Sequence, residues 1–108
     1  MAYDEKLAER VRRELARHKA VDEIKMFGGI CFTLRGNMLV GIVKDELMVR
    51  LPKAEDAATS REPHVRPMDF TGRRMKGFHF VRAAGLKTPA QLRRWIGRCA
   101  AYVATLPP

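Results

Sequence analysis

At 108 residues the chain can bury one modest core, and a single domain spanning 1–108 is expected. Hydrophobic residues make up 46% and charged residues 31%, which excludes a disordered chain; no apolar run approaches the ~20 residues of a membrane span. The net charge of +9 is lopsided: residues 1–60 hold 11 Lys and Arg against 10 Asp and Glu, and residues 61–108 hold 10 against 2, an asymmetry that points toward an anionic partner without establishing one.

The opening MAYDEKLAER is charged from the start and has no apolar signal core, so a cytoplasmic protein is expected. DEKLAERVRRELARHK, residues 4–19, reads as a helix with Leu7, Val11 and Leu15 every four residues. Asp4 and Glu5 open it and Arg17, His18 and Lys19 close it, the polarity a helix dipole favours. Residues 23–51 change period. Four short strand-like runs follow one another, separated by Gly28-Gly29, Gly36-Asn37 and Lys44-Asp45. Gly36-Asn37 predicts a primed two-residue turn. MLVGIV, apolar throughout, predicts a central strand, with Gly41 marking a bulge or a close backbone approach.

Pro52 to about Ser60 predicts a short helix, and REPHVRP, residues 61–67, a connector. MDF and FHFVR read as two further strands flanking PMDFTGRRMKGF. Thr88-Pro89-Ala90-Gln91 carries a capping box with proline at the first helical position. The helix it opens runs to about Thr105, with Leu92, Trp95, Ile96, Cys99, Val103 and Leu106 as its apolar stripe and Arg94 and Arg98 on the opposite side. The order gives an α+β fold: an antiparallel sheet of five to six strands with flanking helices on one face, in the order α-β(4)-α-β(1-2)-α.

No catalytic constellation is expected. His18 closes a helix, His64 lies in a connector, and His79 sits between Phe78 and Phe80; a dyad of His79 with Cys31 or Cys99 is the residual catalytic reading. Two cysteines outside any C-x-x-C predict buried, reduced thiols. No metal-ligand spacing is present, and no cofactor is expected. Gly28-Gly29 follows a strand but precedes another strand and no Lys-Ser/Thr, so it predicts a tight turn or bulge in place of a phosphate loop.

PMDFTGRRMKGF, residues 67–78, is the leading candidate contact. Arg73, Arg74 and Lys76 fall within four residues, with Arg66 and Arg82 nearby. Arg94 and Arg98 extend the same positive surface if the last helix packs beside it. A structural hairpin is the simpler reading, with Asp69, Gly72 and Gly77 serving turn geometry. The functional readings are contact with an acidic protein surface or with a nucleic-acid backbone. Met26, Met38 and Met48 supply core or adaptable contact surface, and an open sheet edge admits a homodimer.

MFGG at 26–29, GNM at 36–38, LMVRL at 47–51, RPMDFTGRRMKGF at 66–78 and the closing helix with its LPP together resemble the TfoX N-terminal domain (TfoX/Sxy) family over nearly the whole chain. The motif residues that carry the resemblance are Met26, Phe27, Gly28, Gly29, Gly36, Asn37, Pro67, Met68, Asp69, Phe70, Gly72 and Gly77. The resemblance implies an α+β fold similar to secretion chaperones. It implies a kinship with bacterial competence regulators that act with the cyclic-AMP receptor protein, of which this chain would be a stand-alone N-terminal domain. It supplies no catalytic residues. The expected function is therefore a non-enzymatic regulatory or adaptor protein with an unidentified protein partner, weak nucleic-acid binding through residues 66–82 and the last helix being the alternative.

Overall fold

The fold is read from a computed structural model that describes residues 3–26, 28–70 and 73–107, with the side chains of Met26, Asp69, Phe70, Arg73 and Arg74 outside that description. Helix α1 spans Glu5–Leu15, and Asp4 caps it by accepting hydrogen bonds from the Lys6 and Leu7 backbone N–H groups. It ends four residues before the expected Lys19, because no apolar side chain beyond Leu15 is left to bury in that turn. Ala20 then takes φ 63° and accepts from Arg35 N.

Strands β1 (Val21–Met26), β2 (Gly29–Leu34), β3 (Asn37–Val43) and β4 (Glu46–Arg50) form an antiparallel meander. A 3-10 turn over Lys53–Glu55 leads into the short helix α2, Asp56–Ser60. Strand β5 (Val65–Phe70) and strand β6 (Arg73–Val81) complete a six-stranded sheet in the order β1-β2-β3-β4-β6-β5. β3 is an interior strand, as its apolar run predicts. The expected connector ends sooner than 67, because Val65, Arg66 and Pro67 pair with β6. Helix α3, Pro89–Val103, is opened by the predicted capping box, with Gln91 N donating to Thr88 Oγ1 at 3.1 Å and Thr88 N to Gln91 Oε1 at 3.0 Å.

The turn between β2 and β3 lies one residue before the expected Gly36-Asn37. Leu34 pairs with Asn37, so Arg35 and Gly36 form the loop, both at positive φ (51° and 84°), as a primed turn requires. The bulge in β3 is at Leu39, between the Phe32–Val40 and Thr33–Met38 pairs; Gly41 instead marks a close approach, since a Cβ there would sit 3.2 Å from the Ile30 carbonyl oxygen. Gly28 occupies a turn at φ 74°, whereas Gly29 is already in β2, where a Cβ would collide with the Ile42 carbonyl oxygen.

The two faces of the sheet differ. One is covered by α1 and α3, whose Leu7, Val11, Leu15, Leu92, Trp95, Ile96, Cys99 and Val103 join Phe32, Val40, Ile42, Leu47, Val49 and Val81 in the main core. Burial of the α3 stripe dominates its stability; truncating Trp95 to alanine would cost about 3–5 kcal/mol. The other face carries a separate, smaller cluster of Cys31, Met48, Met68 and Phe80, with Met38, Val43, Met75 and Phe78 packed on it. No described helical residue joins that second cluster.

Candidate functional site

The stretch expected to form a loop is mostly strand. β5 and β6 pair antiparallel from Val65–Val81 to Pro67–His79, and again at Asp69–Arg74 and Phe70–Arg73. Between these two ladders β6 spends residues 75–78 while β5 spends only Met68. The detour is held from the side. Gly77 N donates to Asp56 Oδ1 at 2.8 Å, and Gly77 O accepts from Leu51 N at 2.8 Å. Gly77 sits at φ 89°, and a Cβ there would lie 2.7 Å from the Leu51 carbonyl oxygen, so glycine is required for both conformation and space. The expected turn residue Gly72, and Phe27 of the MFGG motif, lie outside the described residues, as do the side-chain roles of Met26, Asp69, Phe70, Arg73 and Arg74.

The expected cations divide into engaged and exposed groups. Arg66 Nη2 donates to Glu46 Oε1 at 2.6 Å, and its guanidinium lies 4.4 Å from the Phe80 ring centroid. Arg94 and Arg98 both donate to Glu62, at 2.7 and 3.0 Å, and both lie over the Trp95 ring. Thus Arg94 and Arg98 flank the buried Trp95 instead of lying opposite it, and both engage Glu62 in the segment after α2. Lys76 and Arg82 are exposed. Burial alone would raise the Glu62 carboxyl, but hydrogen bonds from Arg94 and Arg98 and their charge outweigh it and hold it below the ordinary value.

The catalytic alternatives find no support in geometry. His79 points into the helix-covered side, since its strand neighbour Val49 belongs to the main core, whereas Cys31 belongs to the opposite cluster. Burial pushes the Cys31 thiol up to about 11 and the Cys99 thiol up to about 12, the reverse of nucleophile activation. His79 instead meets Ser60 Oγ at 2.9 Å and Asp56 Oδ1 at 3.5 Å. Both contacts use the same nitrogen, Nε2, and the ring is fully buried. A hydrolytic triad needs the carboxylate on the other nitrogen and a hydroxyl that substrate can reach. The cluster is a polar clasp joining α2 to β6. No local pattern marks it, because Ser60 and His79 are 19 residues apart. Among the described residues no group of His, Cys, Asp and Glu could hold a metal ion, and no helix is long and apolar enough to cross a membrane.

The family model of the TfoX N-terminal domain matches residues 13–102. That span contains the meander, the β5–β6 hairpin, the clasp and nearly all of α3. The domain family is a non-catalytic one. Searches of the curated proteins and of the solved structures give no match.

Proposed function

The chain belongs to the TfoX N-terminal domain family, and from that premise we propose that it acts as a regulatory adaptor through protein contact, with the basic stretch 66–82 at the contact. Membership supports a regulatory or adaptor role at the level of the family. The observation that carries the protein-contact reading is the engagement of Arg66, Arg94 and Arg98 with Glu46 and Glu62. A phosphate-tracking surface gains affinity from cations that exchange counterions for phosphates. Guanidiniums already held by carboxylates and laid on aromatic rings contribute little to that exchange. They do suit a protein interface, where Arg, Met and aromatic residues are enriched. The proposed setting is the cytoplasm of a bacterium, where the two buried thiols stay reduced.

Weak nucleic-acid binding is the second reading, favoured by the exposure of Lys76 and Arg82 on the half of the chain with 10 Lys and Arg against 2 Asp and Glu. One affinity capture from a bacterial host, with and without nuclease, separates the two. The adaptor reading expects a reproducible protein partner that survives nuclease and is lost with the Arg73→Ala, Arg74→Ala, Lys76→Ala triple substitution. A complex that nuclease abolishes overturns it. On the second reading the same triple substitution flattens the log–log salt dependence of DNA binding by about 2.7, and an unchanged slope sinks it.

A further inference from the structure

The two edges of the sheet are built differently. β5 closes one edge, and it carries Pro67 and a break in register between Pro67 and Asp69, two devices that keep an edge strand from pairing with another chain. β1 closes the other edge with neither: it pairs with β2 in an unbroken register from Val21–Leu34 to Met26–Gly29. Among the described residues no strand pairs with the outer side of β1. The direction of its backbone groups follows from one bond. Arg35 N donates to Ala20 O at 2.9 Å, next in line to the Val21–Leu34 pair. Bonded and non-bonded pairs alternate along an antiparallel ladder, so Asp22, Ile24 and Met26 turn their N–H and C=O groups to β2, and Val21, Glu23 and Lys25 turn theirs outward. Side chains alternate as well. Glu23 lies opposite Phe32 of the main core and meets Arg12 of α1 at 2.8 Å, whereas Ile24 lies opposite Cys31 of the second cluster and is 49% exposed.

Two such edges can meet antiparallel about a two-fold axis perpendicular to the sheet, provided both alternations are kept. Each residue then faces its own copy or one an even number of positions away. Centring the pair on Glu23 sets carboxylate against carboxylate, and centring it on Lys25 sets ammonium against ammonium; like charges directly opposite are destabilising. Centring it on Ile24 sets Glu23 opposite Lys25 of the second copy, in both directions. In that register the outward N–H and C=O groups of Glu23 and Lys25 exchange hydrogen bonds, and Ile24 meets Ile24 in a non-hydrogen-bonded pair, where side chains stand closest. We propose that β1 is a self-association edge: two copies of the chain join β1 to β1 in this register and form one continuous sheet. The net charge of +9 does not gather at this edge. β1 holds Asp22 and Glu23 against Lys25, while the cationic residues 61–108 supply β5 and β6 at the far edge. The dimer therefore keeps its two basic hairpins at its outer ends and presents the stretch 66–82 twice.

The test is the oligomeric state of the intact protein, by sedimentation velocity. A single strand pair buries less than the ~1,200 Å² of a standard interface, so reversible dimerisation is expected between about 10 μM and about 1 mM. Lys25→Glu sets carboxylate against carboxylate and Glu23→Lys sets ammonium against ammonium, and each variant alone is expected to raise the dimer Kd by at least ~10-fold. An equimolar mixture of the two, each with native circular dichroism, restores opposite charges at every such pair and is expected to dimerise like wild type. Cross-linking checks the register. Ile24→Cys should form a disulfide-linked dimer under mild oxidation, because the Cα atoms of a non-hydrogen-bonded pair stand about 4.5 Å apart. Asp22→Cys, also at an exposed position, should not, because its two copies stand about 13 Å apart. Wild type that stays monomeric across that range overturns the proposal. So does a dimer indifferent to both charge reversals, a mixture that stays monomeric, or Asp22→Cys cross-linking as readily as Ile24→Cys. None of these results bears on the adaptor reading, which concerns the opposite edge.

Discussion

Ser60 Oγ lies 2.9 Å from His79 Nε2, at a point where α2 meets a strand whose neighbouring inward residues are apolar. A buried hydrogen bond of this kind contributes modestly while made and costs more when one partner is removed. Ser60→Ala is expected to lower stability by about 1–3 kcal/mol, and the check is urea denaturation at constant slope. A loss within ~0.3 kcal/mol would show that the contact adds nothing to the fold.

The glycines of the sheet and of α3 are expected to respond in opposite directions. Gly29→Ala drives a methyl into the Ile42 carbonyl and should cost more than about 2 kcal/mol. Gly97, exposed within α3, has nothing within 4 Å of an added Cβ. Gly97→Ala should gain about 1 kcal/mol from helix propensity, and the midpoint of thermal unfolding should rise by about 4–8 °C.

The acid limb of stability should depend on Glu62. Its folded carboxyl lies below the ordinary 4.5, so its contribution is present above that value and is lost as pH falls through the lower folded one. Glu62→Gln should remove about 1 kcal/mol or less near pH 7, because Arg94 is more than half exposed, and wild type and variant should converge in acid. Denaturant midpoints from pH 7 to pH 2 measure this. A gap that persists unchanged to the lowest pH would refute the ion-pair account.

Both thiols should be silent in the native state. With Cys31 raised to about 11 and Cys99 to about 12, thiol reagents at pH 8 should react only as fast as the structure opens. Immediate modification of one equivalent in native protein would contradict the burial of these side chains.

What could be read from the chain beforehand was what depends on near neighbours. The Thr88–Gln91 capping box is an i to i+3 pattern, and the apolar stripe from Leu92 to Val103 is a period, so both were legible. The β2–β3 turn was displaced by one residue because Gly36 marks a turn without saying whether it stands first or second. Register decides that, and Leu34 pairs with Asn37. The site was less legible. Arg66 finds Glu46 20 residues away and Arg94 finds Glu62 32 residues away, so cations that look available in the sequence are engaged in the fold.

The unequal crossing at Met68 has a consequence for β6. Since four residues of β6 stand opposite one of β5, the ladder near Asp69–Arg74 is separated from the ladder through His79 by backbone that bonds to Leu51 and Asp56. The strand is one element in sequence but two units of exchange. In hydrogen exchange, amides at 79–81, paired with both β4 and β5, are therefore expected to be protected more strongly than those at 73–74, which pair with β5 alone.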